Sequence, residues 1–92
     1  MKRIEIIANR SIEEDMFEAF AKAEVAKHYT KIPEVMGAGN SGPRMGDHIW
    51  PEENFILIVY CEEPEAEKIK EVIGELKEFF KGEGIKLFEI SV

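Results

Sequence analysis

The chain opens with an alternation of apolar and polar residues that changes period a few residues later. In residues 2–8, KRIEIIA, the side chains of Ile4, Ile6 and Ala8 share one face by the two-residue repeat of a strand. From Ile12 the spacing becomes helical. Ile12, Met16, Phe20 and Ala23 recur with Phe17 beside them, which predicts a helix over residues 12–25. Ser11 and Glu14 form an S-x-x-E pattern before that run, the signature of a capping box. Residues 28–37, HYTKIPEVMG, read as a second strand. Pro33 has no N–H to give a ladder, so this strand belongs at a sheet edge or carries a bulge. Residues 55–61, FILIVYC, form a third strand. Pro64 suits the first turn of a following helix, and Glu65 and Glu67 suit its positive end. Ala66, Ile69, Val72, Ile73, Leu76, Phe79 and Phe80 make that helix's apolar stripe. Gly82 and Gly84 stop it, and residues 85–91 supply a fourth strand.

The order is strand, helix, strand, strand, helix, strand. Right-handed crossovers turn it into a four-stranded antiparallel sheet with both helices on one face. The predicted class is α+β, a ferredoxin-like βαββαβ fold in a single domain over residues 1–92. The first and third strands lie in its middle. One feature sits badly with an isolated copy. The third strand is apolar at every position from 55 to 60, and Ile7 breaks the alternation of the first. A sheet covered on one side should alternate apolar with polar. Burying a large apolar side chain contributes roughly 1.5–3 kcal/mol, so covering three or four of them with another subunit matters to a domain this small. Self-association follows as an expectation.

Charge narrows the partners. Twelve basic against 19 acidic residues leave a net charge of -7. This opposes broad binding to nucleic acid or to an anionic membrane surface, while leaving room for one small anion in a local pocket. Cys61 is the single cysteine, so no intrachain disulfide or cysteine-based zinc framework is possible. The apolar run from Phe55 to Cys61 is too short to span a bilayer. The reading is a reduced, cytoplasmic protein without direct membrane insertion. Abundant Lys and Glu with no Gln hint at a thermophile.

A connection of about 15 residues, 38–52, joins the second and third strands, where hairpins usually need two to five. GAGNSG, Gly37 to Gly42, runs from the end of the second strand into this connection and matches G-x-G-x-x-G letter for letter. A dinucleotide fingerprint must open a helix. Here Pro43, Arg44 and then a strand follow, so that reading fails. What remains is backbone physics: glycines permit positive φ, and consecutive N–H groups can then form an anion-binding nest. Arg44 is the one cation of the connection and suits a phosphate or carboxylate by its planar fork. Lys27 and Lys31 flank the second strand and add to the positive field there.

The βαββαβ frame, with Gly37-Ala38-Gly39 closing the second strand at the base of a long loop, resembles the PII signalling proteins and their PII-like relatives. The likeness covers nearly the whole chain in outline. It implies a homotrimer that is a regulator and not an enzyme. It implies an adenine nucleotide (ATP, ADP or AMP) held between subunits at the loop base, and a protein target contacted through residues 38–52, the equivalent of the family's T-loop. Carried over residue by residue, the ligand-binding positions are Gly37, Ala38, Gly39, Asn40 and Arg44, with Gly82, Gly84 and Lys86 from the turn KGEGIK. Asn40 stands where the family commonly has an arginine, and Lys86 falls one place later than the family's lysine. The alternative is a CutA-like metal-tolerance trimer binding a divalent metal through His48 and Asp47. An ACT-like module binding an amino acid between subunits is a third possibility. Trp50 and Pro51 read as an anchor for the entry to the third strand. Cys61 reads as inert packing. No catalytic constellation emerges: the first loop, ANRSIEE, lacks both the glycines of an acylphosphatase cradle and the M-x-C-x-x-C of heavy-metal domains.

Overall fold

The computed structural model describes residues 1–39, 42–44 and 53–92. Strand β1 spans Lys2–Asn9, helix α1 Glu13–Ala23, strand β2 Thr30–Val35, strands β3 and β4 Gly37–Gly39 and Gly42–Arg44, strand β5 Asn54–Cys61, helix α2 Glu63–Phe79 and strand β6 Ile85–Ser91. Four of these strands form an antiparallel sheet in the order β2-β5-β1-β6, with β5 and β1 in the middle as the apolar pattern requires. The fold is ferredoxin-like. β3 and β4 form a separate two-stranded ribbon.

The alternation in β1 and β5 sorts their side chains cleanly. Ile4, Ile6 and Ala8 interleave with Phe55, Leu57 and Val59 on the helix side, and all six are almost fully buried. Ile12, Met16 and Phe20 of the first helical segment and Ala66, Ile69 and Ile73 of α2 close over them as one core. The opposite face carries Ile7, Ile56 and Ile58, which are half-buried by their sheet neighbours alone. Around them Ile32, Tyr60, Phe88 and Ile90 are exposed. Arg3, Glu5 and Lys86 are charged residues of this face. The Arg3 Nε donates to Glu5 Oε2 at 2.8 Å and its Nη1 to the Tyr60 hydroxyl at 2.7 Å.

Several boundaries differ from those the sequence predicts. The S-x-x-E box does not cap α1. Residues 10–12 form a 3₁₀ turn instead, and the carboxamide of Asn9 caps it, Oδ1 accepting from the Ser11 N–H at 2.8 Å. Ser11 Oγ is thereby free to donate to Glu83 Oε2 at 3.2 Å. α1 begins without a side-chain cap, its positive end matched by Glu13, Glu14 and Asp15. It ends early, at Glu24, which takes a left-handed conformation (φ 56°). The second strand is also shorter than 28–37. Pro33 acts in both expected ways: β2 is an edge strand, and its register against β5 shifts between Ile32 and Val35. Phe79, assigned by periodicity to the buried stripe of α2, is 81% exposed. The stripe continues instead through Phe80, which is half-buried against the core, while Phe79, one residue earlier, falls at the stripe's margin.

Candidate ligand-binding site

Antiparallel pairing brings four strand ends together. β1 finishes at Asn9 opposite Asn54, where β5 starts, and Ala8 faces Ile85, where β6 starts; Val35, the last residue of β2, also faces Asn54. The β1–α1 turn, the α2–β6 turn and the connection from β2 to β5 therefore occupy one end of the sheet. Backbone bonds stitch this end together. The Asn9 N–H donates to the Gly84 carbonyl at 3.0 Å, and the Arg10 N–H to the Glu53 carbonyl at 2.8 Å. The Arg10 guanidinium also pairs with the Glu53 carboxylate. Nothing in the spacing of Arg10 and Glu53 announces them from sequence. They meet because β1 and β5 are paired to their last residues.

The residues singled out from sequence divide between the two edges of this end. Gly37, Ala38 and Gly39 form β3, and Arg44 ends β4; the pairs are Gly37 with Arg44, Ala38 with Pro43 and Gly39 with Gly42. The start of the long connection is thus an ordered antiparallel ribbon, not an irregular loop. Gly37 lies in extended backbone without a positive φ, so its N–H is held in strand geometry and does not contribute to a nest. On the other side, Gly82 has φ +95° and turns the chain out of α2. Gly84 accepts from Asn9, and Lys86 is exposed on the uncovered sheet face opposite Ile7. β2 and β6 are the two edges of the sheet. Three inter-strand spacings of about 4.8 Å separate them, roughly 14 Å. The two glycine segments share an end of the molecule but do not meet within one copy.

Other candidates resolve differently. Lys31 is already engaged, its Nζ on Glu13 Oε2 at 2.5 Å. Lys27 and His28 are exposed. Cys61 is buried, and its thiol is pushed above its ordinary value of 9.0 by burial first and by Glu65, Glu62 and Glu89 next. Asn40, Asp47, His48, Trp50 and Pro51 lie outside the described residues. Among the described residues, no three His, Cys, Asp or Glu side chains gather as a metal site would require. Nor, among them, is any helix long and apolar enough to cross a membrane.

The described chain is thus a ferredoxin-like sheet with one greasy face and a two-stranded ribbon that follows its second strand. The model of the nitrogen regulatory protein P-II family matches residues 1–92, and the chain belongs to that family. Among solved structures it is similar to CPII, a nitrogen regulatory PII-like protein from Thiomonas intermedia K12, in a form bound to ADP, AMP and bicarbonate. That likeness has a TM-score of 0.73 at 22% identity and covers 99% of this chain and 86% of the other. A putative PII-like signalling protein from Thermus thermophilus aligns with a TM-score of 0.68 at 23% identity, over 99% of this chain and 85% of that one. The apo form of CPII gives 0.65 at 19% identity, over 99% and 89%. No curated protein sequence matches.

Proposed function

We propose that the chain is a PII-like regulator that assembles as a trimer through its uncovered sheet face. It binds a small anionic ligand, foremost an adenine nucleotide, in clefts between copies. One observation carries the reading. The ribbon and the Gly82 turn stand at the same end of the sheet but on opposite edges, so a ligand touching both must bridge two copies. The ribbon of one copy, with Gly37, Ala38, Gly39 and Arg44, then faces Gly82, Gly84 and Lys86 of the next. Arg44 and Lys86 supply positive charge to a chain that is otherwise acidic. The nucleotides and bicarbonate held by CPII support this ligand class. Residues 38–52 contact a protein target, and the ligand shifts them only as far as its affinity differs between their two states.

The test is a thermal-shift and calorimetry panel of ATP, ADP, AMP, cyclic nucleotides and bicarbonate, with the mass measured by light scattering. Three chains per particle are expected. A ligand at 100 times its Kd should add about 2.7 kcal/mol of stability. Arg44→Ala and Lys86→Ala should each weaken it roughly 10- to 100-fold, the loss of a charge-assisted hydrogen bond. A monomer, or a flat panel, overturns the assignment. A response to copper or zinc in place of the nucleotides transfers it to the metal-tolerance reading.

A further inference from the structure

The helix layer faces away from the uncovered sheet, so assembly through the sheet leaves it open. Near the C-terminal end of α2, two shallow hollows meet at Phe79. One is a groove of roughly 280 Å³ between α1 and α2, floored by Val72, Leu76 and Phe80. The other lies beside it on α2 and includes Gly74. Three features of this surface serve no purpose within the chain itself. Phe79 is 81% exposed, its ring resting edge-on against Phe80 at 4.9 Å. Gly74 sits in the middle of α2, where glycine weakens a helix, yet a Cβ there would meet nothing within 4 Å. The rim is also largely of one sign: Glu71, Glu75 and Glu78 from α2 and Asp15 and Glu18 from α1, against Lys22 as the one cation among the described residues that line either hollow.

We infer that this surface docks a cationic amphipathic helix of a partner protein. Glu71 and Glu75, like Gly74 and Glu78, are four apart, and Glu71 and Gly74, like Glu75 and Glu78, three apart, so the four share one face of α2. A glycine on such a face lets a crossing helix approach closely. Phe79 supplies the apolar anchor beside it, and lysine or arginine side chains flanking the partner's apolar stripe meet the carboxylates on both sides. Charge decides between occupants. A second copy of this chain is itself acidic, and an anionic membrane would be repelled by the same rim.

The probe is an 18-residue fluorescein-labelled peptide with leucine on one helical face and lysine on the other, titrated into the whole protein. A charge-reversed peptide carrying glutamate for lysine is the control. Saturable binding is expected, weakening as salt rises, with no binding of the control. Phe79→Ser should reduce affinity at least tenfold with an unchanged circular dichroism spectrum. Gly74→Leu should do the same while holding or raising the melting temperature, a split that mere damage to the helix would not give. Failure of the lysine peptide to saturate overturns the inference. So does binding that survives both substitutions, which would reduce the effect to attraction by net charge. A change in particle mass on Phe79→Ser overturns it in favour of a second copy. These readouts are separate from nucleotide binding and from sheet-side assembly.

Discussion

Cys61 shows how a single position can be read correctly in kind and still gain meaning from its surroundings. It points to the helix side at the end of β5, under the start of α2. Burial there, with Glu65, Glu62 and Glu89 nearby, holds the thiol in its neutral form. The folded protein therefore keeps this proton at a pH where the unfolded chain has lost it. Stability should decline as pH rises from about 9 towards the raised value, because the unfolded state then binds fewer protons than the folded one. Urea melts at several alkaline pH values check this, and the decline should flatten in Cys61→Ala. Iodoacetamide should label the native protein slowly at pH 8 and label it quickly once urea unfolds it. Rapid native labelling would mean that the end of β5 opens readily.

Helix ends are where sequence reading and structure part company. The 3.6-residue repeat locates α1 and α2 well, because burial of a stripe depends on many side chains at once. A terminus depends on one or two hydrogen bonds. Ser11–Glu14 carries the capping pattern, but Asn9, at the end of a paired strand, starts a 3₁₀ turn two residues ahead by accepting the Ser11 N–H, so Ser11 lies inside that turn and not at a cap. The two exits from the helices use positive φ in opposite ways. Gly82 adopts +95° as the residue suited to it, whereas Glu24 adopts 56° despite its side chain. Gly82→Ala should cost about 1–2 kcal/mol. Space is not the cause, since an added Cβ would touch nothing within 4 Å. Glu24→Gly should stabilise by about 1 kcal/mol for the mirror-image reason. Denaturant midpoints at unchanged m-value measure both. Equal and small effects would show that these turns relax freely. The α1 exit has a further tie, the Ala26 N–H donating to Glu65 Oε2 at 2.9 Å, which joins it to α2.

At the scale of the whole molecule, the sheet order, the central strands and the greasy face are all legible in the sequence, because period-two burial and crossover handedness leave few alternatives. The candidate site is legible only as a set of residues. No local pattern says that the ribbon and the Gly82 turn stand on opposite edges; that follows from the strand order. Nor does helical periodicity fix the margin of a stripe, which is why the repeat alone carries Phe79 into the core. The uncovered face makes a direct prediction. Replacing both Ile56 and Ile58 with Glu should disperse the proposed trimer to single chains in sedimentation, since these side chains are only half-buried in one copy. The spectrum of the fold should persist, while stabilisation by nucleotide should vanish with the shared clefts. An assembly that survives the double substitution would place its contacts elsewhere.

Pro33 and the slipped register beside it have a consequence for growth. An open sheet can add neighbours sideways without limit only if both of its borders accept a new strand. Here one border is interrupted by a residue with no amide hydrogen and by a kink in the pairing. Lateral growth through β2 is thus disfavoured, and β6 is the border better suited to pairing. The greasy side can engage other copies face-on without seeding a fibril.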